Sequence, residues 1–476
     1  MTEPTATYAD LFAGIGGFAA VLQALGVHHA YAVEIDKAAA TTYARNWGHD
    51  PLGDVTVDTA DITTRVSAHT ILTGGFPCQP FSKSGAQRGM DETRGTLFHD
   101  IMKIVQARRP PMILLENVRN LIGPRHAHEW ALIIDLLREA GYQVSDQPAI
   151  VSPHQIKPEY GGAPQVRERV FITATLVPEG RVADPTVGPV TILDEARMDR
   201  EWDLNLDLPL LTVDAQHDLT GTELSDSEVA WIDHWESWVQ AVRVLYAAEA
   251  DRDGAPAKRL PGFPIWAHVW TTSDRKRRAL MAPGGVRVPA WKANFLTKNW
   301  DLYDGLRARG LGDWLDQWLR VTRTFPESRQ KLEWQAQDTE HLWDCAMSLR
   351  PSGIRAKRMT HLPALVAITQ TPILGPKRRR LAPREAARMQ GLPDNYDFGG
   401  QRNAATFKQL GNGVNAGVVW NVLRAHVARD RDLLMANGAA KIVEAVDAGP
   451  DDLTHQIAQV LTNRKTHADA DAKVGA

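Results

Sequence analysis

Residues 7–18, TYADLFAGIGGF, decide the fold. Thr7 to Phe12 reads as a short strand, and Gly14-Ile15-Gly16-Gly17 turns the chain at its end. Phe18, Val21, Leu22 and Leu25 then recur at helical spacing, and Gly26 stands where a C-terminal helix cap belongs. A strand, a glycine turn and a helix in succession let a ligand approach the backbone at the carboxyl end of a sheet. The pattern is Gly-x-Gly-Gly, short of a full dinucleotide fingerprint, so by itself it also describes an ordinary tight turn.

The same rhythm continues outward. Ala30 to Ile35 reads as a strand and Lys37 to Trp47 as a helix. Thr70 to Thr73 is a strand running into Gly74-Gly75-Phe76-Pro77-Cys78. Leu97, Ile101, Ile104 and Val105 mark a helix closed by Pro110-Pro111, and Met112 to Leu115 is a buried strand. Trp130, Ile134 and Leu137 mark another helix, and Arg169 to Leu176 a late strand. Short apolar runs alternating with helical patterns predict an α/β fold with a doubly wound, mostly parallel sheet over residues 1–176. Residues 177–376 lose this alternation and hold twelve of the fifteen tryptophans, with basic clusters such as Arg275-Lys276-Arg277-Arg278. They read as an inserted smaller domain, in which Trp231, Trp235 and Trp238 share one helical face. Residues 377–430 return to the first domain, with a helix opened by Pro383 and another over Val414 to Arg429. Residues 431–476, rich in Ala and Asp, read as a marginal helical appendage, partly disordered at its end.

A net charge of −3 neither favours nor excludes nucleic acid, since a basic cleft can be balanced by acids elsewhere. Two cysteines far apart in sequence build neither a disulfide framework nor a cysteine-rich metal site, which suits a reducing cytoplasm. No basic start followed by an apolar run opens the chain, and no apolar stretch approaches the ~20 residues that cross a bilayer. No secretory leader and no membrane span are expected.

Four constellations carry chemistry. Glu34, twenty residues beyond Gly14 at the end of the second strand, can accept hydrogen bonds from a ribose diol. Asp61-Ile62 suits an adenine, with Gly53-Asp54-Val55 as a rival. Cys78, rimmed by Gly74, Gly75, Pro77 and Pro80, is presented stiffly in a cleft as a nucleophile would be, whereas Cys345 has no such setting and reads as structural. Glu116 ends the apolar strand on the same rim, where desolvation lets a carboxyl hold a proton. Arg167 and Arg169, on one side of an extended segment, suit a carbonyl or phosphate oxygen. No cluster with metal-ligand spacing is present.

In this order the pieces resemble the cytosine-C5 DNA methyltransferase family, of the bacterial restriction-modification type. The matching stretches are DLFAGIGG (10–17), GGFPCQPFS (74–82), RGTLF (94–98), ENV (116–118), QVRER (165–169) and QLGNGV (409–414). They cover roughly residues 7–176 and 377–430. One departure is Gly413, where the family often has serine.

The resemblance implies a Rossmann-like fold binding S-adenosyl-L-methionine, with Phe12, Gly14, Gly16, Gly17, Glu34, Ile35, Asp61, Ile62, Pro77, Leu97, Asn412 and Val414 at the cofactor. It makes Cys78 the nucleophile, sets Glu116 on the pyrimidine edge of a flipped cytosine, and places Arg167 and Arg169 near its O2. Residues 82–95 become a catalytic loop closing over double-stranded DNA, with Ser82, Lys83, Ser84, Gln87 and Arg88 as contacts. The central region takes the position of the target-recognition domain. There Arg350, Arg355, Lys357 and Arg358, in a basic stretch read as loop-like, are candidates for guanine edges or phosphates, and Lys377 to Arg380 for phosphates. A monomer is expected, with any cognate restriction endonuclease acting separately. Three other readings stay open: a tRNA-directed cytosine-C5 methyltransferase, disfavoured by the long central insert; a catalytically silent DNA-binding relative, disfavoured by the presence of Cys78, Glu116, Arg169 and Gly14; and, more distantly, an oxidoreductase with a dinucleotide fold, disfavoured by the incomplete glycine fingerprint.

Overall fold

A computed structural model describes residues 5–77, 96–207, 219–365, 371–450 and 452–474. The chain forms two compact units, one of Met1–Leu210, Pro363–Thr369 and Pro383–Ala476, the other of Leu211–Leu362 and Gln370–Ala382.

The first unit is built on strands β1 (Thr7–Leu11), β2 (His28–Val33), β3 (Ile71–Gly75), β4 (Met112–Val118), β5 (Tyr142–Val144), β6 (Ala149–Val151), β7 (Gln165–Val166) and β8 (Arg169–Leu176). Seven of them form one sheet in the order β2-β1-β3-β4-β8-β5, with β6 also on β8. β1 runs parallel to β2 and β3, and β3 parallel to β4. β8 runs antiparallel to β4, β5 and β6. Tyr8, Ala9 and Leu11 are wholly buried, as a central strand covered on both faces requires. Helices α1 (Gly17–Ala24), α2 (Lys37–Trp47), α3 (Leu97–Arg108) and α4 (Ala127–Glu139) follow the strands. On one face Ile101, Ile104 and Val105 of α3 and Ile133, Leu136 and Leu137 of α4 pack against Leu11, Leu72, Ile113 and Ile172. On the other, α1 packs against the helices Ala416–Ala436 and Leu453–Val474.

The doubly wound, mostly parallel sheet is the expected one. The three-residue strands β5 and β6 were not foreseen; at that length they carry no periodicity of their own. The C-terminal stretch, read as a marginal appendage, forms two helices, Ala440–Asp447 and Leu453–Val474. Ile442, Ile457 and Leu461 are at most 1% exposed. Its spare apolar pattern suffices because the first of these helices packs on the helix Ala416–Ala436 and the second on α1, both ready-made faces.

The second unit has its own core, in which Trp235, Trp238, Trp270 and Trp318 meet Leu296, Leu315, Leu332 and Ile354. Trp231 packs against it from the edge, so the three tryptophans of the helix Asp226–Asp253 share a face as their spacing predicted. The segment read as loop-like is a hairpin: Ala346–Arg350 pairs antiparallel with Gly353–Lys357, and the latter runs parallel to Lys331–Gln335. One face supplies Ile354, Ala356 and Met347 to the core, while Arg355 and Lys357 alternate with them on the other.

Candidate functional site

The site lies at the carboxyl ends of the parallel strands. Beyond β1 the backbone turns through left-handed conformations at Phe12 (φ 54°), Gly14 (φ 55°) and Gly16 (φ 87°). The turn is pinned at the Ile15 carbonyl, which accepts from Trp47 Nε1 at 3.0 Å and Tyr396 Oη at 2.5 Å. Its glycines act differently. A Cβ on Gly14 would meet nothing nearer than 3.9 Å, so this residue faces open space. A Cβ on Gly16 would lie 2.1 Å from Trp47 Nε1, and one on Gly17 2.6 Å from the Val414 carbonyl oxygen. Gly16, Gly17 and Val414 therefore close the packing behind the turn.

In front of Gly14 lies a cleft of about 440 Å³, lined by Phe12, Gly14, Glu34, Ile35, Pro77, Leu97 and Asn412 among others. Seven of the twelve residues expected at the cofactor thus meet in one place. The Glu34 carboxylate accepts from the Gly14 amide at 2.8 Å and the Asp36 amide at 2.7 Å. Ile35 stands 72% exposed at the rim, an apolar side chain left for a flat ring to cover.

Asp61 and Ile62 are not among the lining residues; Gly53, Asp54 and Val55 are. The cause is local. The Glu34 amide donates to the Pro51 carbonyl and the Gly53 amide to the Glu34 carbonyl, so residues 51–54 run beside the tip of β2. Asp61 is solvent-exposed, and Ile62 packs against the core under the sheet. The rival assignment of the second acid is the one the geometry favours. Asp36 and Lys408, whose side chains pair at 2.8 Å, also line the cleft. No sequence signal marks them, because Asp36 reads only as the N-cap of α2, where it accepts from the Ala38 and Ala39 amides.

Glu116 and Arg169 close the cleft's far end, with Arg169 Nε 2.8 Å from Glu116 Oε1. Burial pushes the Glu116 carboxyl above its ordinary range, while the charges of Arg169 and Arg167 oppose the shift. Asn117 Nδ2 donates to the Phe76 carbonyl at 2.9 Å and ties the end of β4 to the segment leading out of β3. Pro77 therefore lies on the same rim as Glu116. Cys78, Ser82, Lys83, Ser84, Gln87 and Arg88 fall outside the described residues.

Arg167 does not join Arg169. Its backbone amide is held by Ser152 Oγ, and its buried guanidinium donates to the carbonyls of Leu365 (2.8 Å), Gly411 (2.9 Å) and Gly413 (2.7 Å). The expected extended alternation breaks between β7 and β8, which sends the two side chains apart. Arg167 braces the turn that carries Asn412 into the cleft.

In the second unit, Arg355 pairs with Glu333, and burial beside Arg355 and Arg350 depresses the Lys357 ammonium. Arg350 ends its strand, and its carbonyl accepts from Arg329. Arg358 follows the strand directly. Of the basic run 377–380, Arg378 lies 4.3 Å over the Trp343 ring and Arg380 pairs with Glu228. Those two cations hold the unit together and are not free for phosphate. Cys345 is buried, its thiol pushed up to about 12 by desolvation, in keeping with a structural role.

A glycine cradle facing two acids, next to a buried carboxyl paired with a guanidinium, defines an α/β group-transfer enzyme that takes a nucleoside-bearing cofactor. Residues 6–428 match the family model of C-5 cytosine-specific DNA methylases. The chain is 46% identical over 524 aligned residues to the Type II methyltransferase M.AluI of Cellulosimicrobium cellulans, covering 95% of this chain and 98% of that one. It is 42% identical over 170 residues to M1.ScrFI of Lactococcus lactis subsp. cremoris (34% of this chain, 40% of the relative). With M.HhaI of Haemophilus parahaemolyticus the identity is 35% over 165 residues (35% and 47%). The chain belongs to the C-5 cytosine-specific DNA methylase family and is a DNA (cytosine-5)-methyltransferase that uses S-adenosyl-L-methionine. The likeness to M.AluI runs through the central unit as well, which the six ordered motifs leave uncovered.

The cleft fits that cofactor. Gly14 leaves room for a ligand against the backbone, Glu34 and Asp54 offer acceptors for a ribose diol and an amine, and Ile35 and Phe12 offer apolar surface to a purine. Among the described residues no helix is long and apolar enough to cross a membrane, and no cluster of His, Cys, Asp and Glu could hold a metal.

Proposed function

We propose that the protein methylates C5 of one cytosine within a particular duplex DNA sequence, through a covalent bond between Cys78 and C6 of a base turned out of the helix. The observation that carries this is the Glu116–Arg169 pair, set on one cleft with the Gly14–Glu34 cradle and with Pro77, the chain neighbour of Cys78.

C5 of cytosine is a poor nucleophile. The Cys78 thiolate adds to C6 and pushes electron density through the ring to C5, while N3 takes a proton or a hydrogen bond from Glu116. Burial favours the neutral carboxyl that this donation needs. Arg169, already aligned on Glu116, can contact the base O2 and offset the charge that gathers on the ring. The cofactor supplies an electrophilic methyl group on a sulfonium. C5 then loses its proton to a base, the Cys78–C6 bond breaks, and aromaticity returns. Arg167 takes no part at O2 in this reading; it holds the 411–413 turn. Extruding the base costs a few kcal/mol of unstacking, to be offset by contacts from Ser82, Lys83, Ser84, Gln87 and Arg88 as their loop closes.

Target recognition falls to the second unit, whose hairpin offers Arg350, Arg355 and Lys357 on one sheet face and Arg358 just past the end of the second strand. The names of the relatives as Type II methyltransferases support a place in restriction-modification, with the protein acting as a cytoplasmic monomer and any endonuclease acting separately.

Trapping tests the reading. Duplex DNA carrying 5-fluorocytosine at the target is expected to form a denaturant-stable adduct with the wild type and none with Cys78→Ser. Methyl transfer by Cys78→Ser at the wild-type rate would end the proposal.

A further inference from the structure

The basic segment 274–298 of the second unit contains seven cations and one acid. Its structure sorts them. Arg277, on the helix Asp274–Met281, points inward: it is bidentate to Asp304, donates to the Thr271 carbonyl and lies 5.5 Å over the Trp300 ring. With Arg277 turned in, helical geometry turns Arg275, Lys276 and Arg278 out, and all three are exposed. Arg287 and Lys292 are exposed a few residues on. None of these five forms an ion pair with any described residue. The same segment, folded back on the helix by the Val288 amide donating to the Met281 carbonyl, carries Trp291, 62% exposed, its ring edge-on to Phe295 at 6.4 Å.

Five unpaired cations on one short stretch repel one another, and a tryptophan left in water forgoes a large apolar gain. Neither is explained by the fold, which draws on Arg277, Met281, Val288 and Leu296 from this segment. A polyanion with flat apolar elements would satisfy both. Duplex DNA has that chemistry, with phosphates for the guanidinium and ammonium groups and a sugar or base face for the indole.

We propose that Arg275, Lys276, Arg278 and Trp291 form a sequence-independent docking surface for the DNA backbone, separate in role from the base-reading hairpin. This rests on the reading of the second unit as the DNA-recognising one. Guanidinium and ammonium groups at phosphates contribute affinity and salt dependence without sequence information, so the surface holds DNA while the hairpin chooses the site.

The test measures binding of the full chain to two duplexes, one containing a site it methylates and one lacking it, across a salt series. R275A/K276A/R278A is expected to weaken both complexes by the same factor, about tenfold or more near 0.1 M salt, and to flatten the slope of log K against log salt by up to about 2.7, at about 0.9 per lost phosphate contact. Methylation at saturating DNA stays at the wild-type rate. Trp291→Ala weakens both complexes and leaves the slope unchanged, since it removes no charge. Unaltered affinity and slope in the triple variant would overturn the proposal and leave the surface to an acidic protein partner. A loss confined to the site-containing duplex would also overturn it, by making the segment a base reader. Failure of the underlying reading is seen separately: a hairpin variant, Arg355→Ala, would then leave the ratio of the two affinities untouched.

Discussion

Arg167 and Arg169 are two residues apart and do opposite work, and only the backbone between them separates their roles. Arg169 faces the cleft and Glu116; Arg167 faces three carbonyls behind it. Arg169→Ala removes a charge next to the reacting ring, so kcat is expected to fall by about a hundredfold or more with little change in cofactor affinity. The Glu116 carboxyl also loses the cation that opposes its upward shift. A rate that needs the neutral acid is lost as pH rises through the carboxyl's pKa, so any alkaline limb due to Glu116 moves to higher pH in Arg169→Ala and vanishes in Glu116→Gln. Arg167→Ala leaves buried carbonyls unpaired and should cost about 3 kcal/mol of stability. Its cofactor KM should rise through the loosened Asn412 turn, with kcat at saturation largely kept. Steady-state kinetics on both variants decide the matter; a kcat defect in Arg167→Ala equal to that of Arg169→Ala would restore it to the base.

At the scale of elements, legibility followed length and burial. The strands ending at Leu11 and Val118 were readable because an apolar run met a glycine or a polar pair at the sheet's edge. The helix Lys37–Trp47 has the bounds its sequence predicts, and the structure closes it with an Asp36 cap and Gly48 in the left-handed conformation. The stretch 350–358 was misread as loop-like because its outward cations mask a two-residue period whose inward half there is only Ile354 and Ala356. The second acid of the cleft was ambiguous because backbone hydrogen bonds invisible in sequence decide it, the Glu34 amide donating to Pro51 and the Gly53 amide to Glu34. The helix Leu453–Val474 was undervalued because three apolar residues, Leu453, Ile457 and Leu461, carry its packing. Those residues make a test. Each buried leucine or isoleucine cut to alanine costs about 2–5 kcal/mol, so I457A/L461A should lower Tm sharply. Since α1 begins at the Gly14 turn, cofactor binding should restore part of the loss. A thermal-shift series with and without S-adenosyl-L-methionine would show this, and a Tm equal to wild type would mean the helix is dispensable.

At the scale of the whole molecule, two designs share one chain. The first unit stacks helices on a mostly parallel sheet, and its periodicities announce it from the first twenty residues. The second gathers tryptophans whose order in sequence says little about their neighbours: Trp235 meets Trp318 at 5.0 Å, and Trp270 lies 6.1 Å from the same ring. Such contacts are set by tertiary packing between residues far apart in the chain, which is why the neighbours of these tryptophans could not be drawn from their order. A core drawn from residues 232–373 alone has a physical consequence. A chain of this size can bury enough surface to be stable by itself, so residues 211–382 expressed alone should fold. Cooperative loss of near-ultraviolet circular dichroism on heating would register the fixed indole environments. The same fragment should transfer no methyl group, since Gly14, Glu116 and Arg169 lie outside it. If it instead remains expanded, without a melting transition, then the tryptophan core depends on the first unit and the second is no independent module.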